Sequence, residues 1–313
     1  QVQAHNNLGN TLKELGQLDE AVANYQKAIS IKPDSAETHF NLGSALEEKG
    51  DAAGSAAHFD QALSFKPGMD GWRVRKALFL PPIPSSSETI SLCRKPFGET
   101  VVSLHSHNLA VENPVDDVGI SSFYLSYHNL DNKPLMEAIA ELYIAACPTL
   151  TYEAKHCRSD RREQRGRLRI GFLSTFFHSH TVGRLSIGVI EHLSREHFEV
   201  IVLRPPGRTD KISKAIDQAA DKVIQLSKNL DRDREIIAQQ KLDILFYPDI
   251  GLIPYTYFLS FARLAPVQVT SWGHPDTTGV PNIDYFISSS LIEPPGASNQ
   301  YSEQLVQLTT LPS

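Results

Sequence analysis

Seven residues near the start of the chain return at one fixed offset. Leu8, Gly9, Leu12, Gly16, Tyr25, Ala28 and Pro33 reappear as Leu42, Gly43, Leu46, Gly50, Phe59, Ala62 and Pro67, each 34 residues later. A period of that length marks a supersecondary unit that buries its apolar face only by stacking on a neighbour. The residue types suit paired helices. Gly9 and Ala28 are small enough to let two helices approach, and Pro33 has no N–H to donate and so ends the second helix. Ser55 stands where the first copy has Ala21, and its small side chain is tolerable there. Residues 72–78 read as a closing helix over the second copy, broken by the Pro/Ser-rich run at 81–87.

The period and the Leu-Gly, Tyr/Phe, Ala, Pro pattern resemble the tetratricopeptide repeat. Arrays of this kind usually need about three or more units, so further repeats are expected upstream. The absence of an initiating Met fits a chain that begins inside a longer frame. Asn7 and Asn41 share one repeat position. They serve either as local caps or as an asparagine row that grips a peptide backbone through its amides.

Residues 81–167 read as a mostly helical connector. A capping box at 85–88 starts a helix that Pro96 and Gly98 interrupt. Asp131, Asn132 and Pro134 start another, with Leu135, Ile139, Leu142 and Ala146 as its apolar face and Cys147-Pro148 as its stop. The basic run at 158–167 reads as a solvated linker.

From Arg169 onward, β-branched apolar runs alternate with helical segments. Strands are expected at 169–174, 198–203, 222–226, 242–247, 266–272 and 283–288, with helices near 183–195, 211–220, 231–240 and 254–263. Such alternation predicts a doubly wound parallel sheet. The fold class is therefore α plus α/β, with boundaries at 1–80 for the repeats, 81–167 for the connector and 168–313 for the sheet lobe. Sheets of this type bind ligands beyond the carboxyl ends of their strands. His178 and His180 stand there after the first strand, before a helix expected to begin near Gly183. The loop from Tyr247 to Gly251, with Asp249, comes after the fourth strand. The loop from Gly273 to Gly279, with His274, Pro275, Thr277 and Thr278, comes after the fifth.

Several chemistries are excluded. A net charge of −6 gives no electrostatic footprint for nucleic acid or an anionic membrane. No apolar run is long enough to span a bilayer. Three cysteines without metal-ligand or disulfide spacing argue against both uses and fit a reducing cytoplasm. There is no G-x-G-x-x-G after the first strand, no Walker loop and no G-x-S-x-G elbow. A barrel metallohydrolase needs eight strand–helix units and later ligands, but His274 is the only histidine after His197.

Taken together, the repeats and the stretches RIGFLSTFFHSHTVGRL, LDILFYPDIG, FARLAPVQVTSWGHPDTTGVPNIDYFISS and YSEQLVQL resemble glycosyltransferase family 41. That family includes the protein O-GlcNAc transferases and the SPINDLY-type protein fucosyltransferases. The resemblance implies a GT-B enzyme that transfers a sugar, GlcNAc as first choice, from a UDP-sugar to Ser or Thr hydroxyls, with inversion and without metal or other cofactor. It implies that His180 is the catalytic histidine of the first loop. Pro275, Thr277, Thr278 and Gly279 would shape the cleft near the transferred sugar. His274, Asp249 and Gly251 are substrate-binding candidates by their place after the strands, and Asn7 and Asn41 are the candidate peptide-binding positions on the repeats. It also implies a second, donor-binding lobe after Ser313, without which the chain is expected to be inactive. Two alternatives stay open: a non-catalytic repeat scaffold, and an Asn-directed N-glucosyltransferase.

Overall fold

In the computed structural model, the described residues are 1–81, 84, 86–158 and 166–311. The chain divides into two compact units, Gln1–His128 and Asn129–Ser313. The segment read as one connector is shared between them.

In the first unit, α1 (Val2–Glu14) pairs with α2 (Leu18–Ile31), and α3 (Ala36–Glu48) with α4 (Ala52–Phe65). The repeat residues do the packing expected of them. A Cβ on Gly9 would stand 2.5 Å from the Tyr25 ring, so the helices meet there only because a side chain is absent. Helix α5 (Asp70–Ala77) lays Trp72 on Phe40, the rings stacked at 4.5 Å, and so closes the second repeat. Arg75 of α5 reaches back to Glu47 of α3 (2.8 Å) and to the Val118 carbonyl (3.2 Å), a buried tie between closing helix and repeat.

Helix α6 runs unbroken over Ser87–His105, with Ser86 as its cap; Ser85 lies outside the described residues. The expected interruption at Pro96 is not seen. Phe97, Val101 and Leu104 give the helix a buried stripe, while Pro96 itself is exposed. The residue whose carbonyl loses a partner, Leu92, faces solvent, where water can take over. A short α7 (Pro114–Asp117) and a 3-10 turn (Phe123–His128) complete the unit.

The second unit opens with α8 (Lys133–Ala146). Its buried face uses Met136, Ala140 and Tyr143 beside Ile139, Leu142 and Ala146, while Leu135 is only half-buried. Two 3-10 turns (Pro148–Thr151 and Lys155–Arg158) come next; residues 159–165, most of the basic run, lie outside the described residues. The sheet lobe then alternates β1 (Leu168–Leu173), α9 (Thr181–His192), β2 (Phe198–Arg204), α10 (Lys211–Ala219), β3 (Lys222–Gln225), α11 (Leu230–Gln239), β4 (Ile244–Tyr247), α12 (Pro254–Ser260), β5 (Val267–Ser271) and β6 (Tyr285–Ser289). A 3-10 turn (Ala297–Gln300) leads to β7 (Gln304–Leu308), a strand not anticipated from its polar, half-exposed sequence.

All pairings are parallel, and the strand order is β3-β2-β1-β4-β5-β6-β7. One face is built on Phe172, Ile190, Val200, Val202 and Ile216. No helix among the described residues is long and apolar enough to cross a membrane.

Candidate functional site

The strand order fixes where a ligand can enter. From β1 the chain winds outward through β2 to β3, then returns to place β4 on the other side of β1. The loops leaving β1 and β4 therefore diverge and open a crevice at the sheet's carboxyl edge. The histidine loop lies on one side of this switch point and residues 248–251 on the other. The loop after β5 runs beside them.

The histidine loop is folded by its own backbone. The His178 N–H donates to the Phe176 carbonyl (2.7 Å), and the His180 N–H to that of His178 (2.6 Å). A Cβ on Gly183 would stand 2.2 Å from the His178 carbonyl oxygen, so the first turn of α9 rests on the loop and excludes any side chain there. Helix α9 begins at Thr181, before the expected Gly183, because His180 is its cap: Nδ1 accepts the Val182 N–H at 3.2 Å.

That bond decides the tautomer. With Nδ1 accepting, the neutral ring carries its proton on Nε2, and Nε2 has no hydrogen-bond partner among the described residues. Phe176 stacks on the ring at 4.4 Å. Burial, and then the neighbouring His178, hold the pKa of His180 below the ordinary histidine value. Protonating Nδ1 would also break the cap and set a cation on the positive end of a helix. These effects favour the neutral His180 ring with its proton on Nε2, on the loop that borders the crevice. The Nδ1 of His178 is buried without a partner among the described residues, the two rings lying 6.0 Å apart.

Across the switch point, Asp249 is 0% exposed, and among the described residues neither carboxyl oxygen finds a hydrogen bond of good geometry. Burial pushes its pKa up to about 7, with the Ser174 hydroxyl pulling the other way. Gly251, at φ +104°, gives its place to the His274 ring, which would lie 3.0 Å from a Cβ there. Gly273 meets the Pro248 carbonyl so closely that a Cβ would fall 2.1 Å from its oxygen. The second and third loops are therefore locked backbone to backbone, with His274 buried between them.

The remainder of the third loop turns inward. Pro275 is exposed, but the Thr277 hydroxyl donates to Glu303 Oε2 (2.7 Å), and the Thr278 N–H (2.8 Å) and hydroxyl both donate to Glu303 Oε1. Ser302 bonds Thr277 and receives the Gly279 N–H. A Cβ on Gly279 would stand 2.3 Å from the Met136 carbonyl oxygen, so that glycine packs on the backbone of α8. The two threonines expected to meet substrate spend their hydroxyls on a buried carboxylate and shape the loop from within. Glu303 was missed, although an acidic residue beside the apolar positions of YSEQLVQL was its available signal.

In the first unit, Asn41 Nδ2 donates to Asn6 Oδ1 (3.0 Å) rather than pairing with Asn7, its counterpart in the repeat. Asn7 is exposed and accepts from Gln3 Nε2 (3.0 Å). Among the described residues, no group of three or more His, Cys, Asp or Glu side chains could hold a metal.

Comparison with known proteins matches the two parts of the chain separately. The family model for glycosyl transferase family 41 matches residues 122–311, more than half of the chain, and tetratricopeptide repeat models match 9–50 and 36–68. A probable UDP-N-acetylglucosamine–peptide N-acetylglucosaminyltransferase SPINDLY of Oryza sativa subsp. japonica is 30% identical over 148 residues, covering 44% of this chain and 16% of the relative. The UDP-glucose:protein N-beta-glucosyltransferase of Actinobacillus pleuropneumoniae is 31% identical over 124 residues, covering 37% of this chain and 18% of the relative. Among solved structures, a mutant O-GlcNAc transferase of Thermobaculum terrenum superposes with a TM-score of 0.59 at 21% identity, over 99% of this chain and 57% of that one, a likeness of fold. The chain spans about a sixth of the length of the curated relatives it matches.

Proposed function

The chain belongs to glycosyltransferase family 41, and from that premise we propose that it forms the acceptor side of a protein glycosyltransferase. The donor is a UDP-sugar, with UDP-GlcNAc as first choice, and the acceptor a Ser or Thr hydroxyl of a protein held by the repeats. Transfer inverts the anomeric carbon and uses no metal or other cofactor. The observation that carries this reading is the capped imidazole of His180 at the switch point, its Nε2 without a partner among the described residues.

The tautomer limits what His180 does. A ring whose Nδ1 is engaged and whose Nε2 is protonated cannot take a proton at Nε2. It donates that N–H to an oxygen of the acceptor or the sugar, and so orients the attacking hydroxyl or stabilises charge on the sugar's oxygens. Asp249, His274 and Gly251 stiffen the crevice behind it, and Pro275 supplies its exposed rim. Asn7 and Asn41 are the repeat positions proposed to meet the acceptor peptide. A reducing, cytoplasmic setting fits three free thiols.

A second reading has a specific observation in its favour, the similarity to an N-glucosyltransferase. The test is to incubate the full-length protein with UDP-GlcNAc or UDP-glucose and an acceptor protein, then map the modified residues by mass spectrometry. Sugar on Ser or Thr supports the first reading. Sugar on Asn replaces it with the second, and no transfer from either donor overturns both.

A further inference from the structure

The loop that carries His180 is gripped from outside at two points, both by the segment joining β2 to α10. At the end of β2, Arg204 donates Nη1 to the Phe177 carbonyl (3.1 Å). At the start of α10, Asp210 Oδ2 accepts the Ser179 N–H (2.8 Å). The two contacts bracket His178, one residue to either side. Arg204 is itself fixed by Asp217, its Nε donating to Oδ1 at 2.8 Å, and by the Ser213 carbonyl (3.2 Å).

Asp210 divides its carboxylate between two tasks. Oδ1 accepts the N–H groups of Ile212 (2.9 Å) and Ser213 (3.1 Å), and the Asp210 N–H donates to the Ser213 hydroxyl (2.6 Å), a complete capping box. Capping α10 needs only that oxygen. Oδ2 is left for Ser179, whose amide lies between the two tight turns that aim His180. The Ser179 N–H contributes most to holding the Asp210 carboxyl below the usual carboxylate range, ahead of the two capping amides and Arg208.

We propose that Asp210 is a positioning residue for His180: through the Ser179 amide it holds the loop in the one shape in which Nδ1 caps α9 and Nε2–H faces the crevice. This rests on the reading of His180 as the group presented to substrate, but its test does not.

The discriminating change is Asp210→Asn. Asparagine keeps an oxygen for the α10 cap and puts an NH2 group, which cannot accept, opposite the Ser179 N–H. Asp210→Ser is the companion, since serine also caps well but is too short to serve both ends. The probe is the ring nitrogens of His180, monitored by long-range 1H–15N correlation through a pH titration of the 313-residue chain. Thermal melting and amide protection in α10 report on folding. In the parent, His180 shows the Nε2–H tautomer and a midpoint below the ordinary histidine value. In both variants α10 stays protected, the nitrogen shifts move toward a tautomer average, and the midpoint rises toward the ordinary value. Unchanged tautomer and midpoint in either folded variant overturn the proposal, as does loss of α10 protection in both. Undiminished transfer by His180→Ala would instead sink the functional reading and leave the spectroscopic result standing.

Discussion

The loop after β1 and the loop after β5 both carry a histidine, hydroxyl side chains and a glycine against a neighbouring backbone, yet they point opposite ways. In the first, His180 is half-buried, capped at one nitrogen and open at the other. In the second, His274 is buried on Gly251, and both threonine hydroxyls are consumed by Glu303. The difference lies in the element that each loop runs into. The first loop leads straight to a helix N-terminus, which needs an acceptor and finds it in an imidazole. The second heads toward β6 and meets a carboxylate from the start of β7, which gathers its donors inward. Similar composition at the same sheet edge therefore yields one loop that presents a group and one that holds the edge together.

That contrast can be broken at Asp249, which lies between the two. Its native pKa of about 7 lies above the ordinary 3.8. The native state therefore keeps a proton that the unfolded chain gives up, and stability is complete below about pH 4 and lost as pH rises through about 7. Asp249→Asn removes that loss. The variant should match the parent near pH 4 and exceed it at pH 8 by up to roughly 4 kcal/mol, read from denaturant midpoints. A parallel pH dependence in the two proteins would mean that Asp249 is ionised in the fold.

Glu303→Ala comes next. It strands three donors in a buried loop and should cost about 3 kcal/mol, with Glu303→Gln intermediate. If melting temperature holds while transfer fails, the threonines face substrate after all. Thr277→Val is the smallest expected effect. It removes one hydroxyl donor to Glu303 and the acceptor of the Ser302 N–H, for about 2 kcal/mol, and should leave the KM for acceptor unchanged. A raised KM with no loss of stability would reverse the contrast between the loops.

The legibility of each feature in the residues tracks the strength of its local signal. The 34-residue offset and the strand–helix alternation come from periodic burial, and β1 to β6 and α9 to α12 lie within a few residues of where periodicity puts them. Pro96 misleads because a proline's cost depends on the helix face, and its lost partner carbonyl opens to water. Strand β7 is invisible because an edge strand with half-exposed residues has no apolar run. The same limit holds at the site. His178 and His180 stand out because the architecture puts ligands after β1. The inward turn of Thr277 and Thr278 depends on Glu303, whose approach is a tertiary fact that no local spacing encodes. The cap made by His180 Nδ1, and the hold of Asp210 on Ser179, are hidden for the same reason.

On the proposed reading, His180 is held as a neutral donor for catalysis rather than for folding. The most direct test is His180→Ala in the full-length protein, with turnover of UDP-sugar onto a protein acceptor and melting temperature measured side by side. Turnover should fall by at least about a hundredfold, with the melting temperature within a few degrees of the parent's, since one helix cap is worth about 1 kcal/mol. Parental turnover, or a loss of activity that merely tracks a collapse in melting temperature, would contradict that reading.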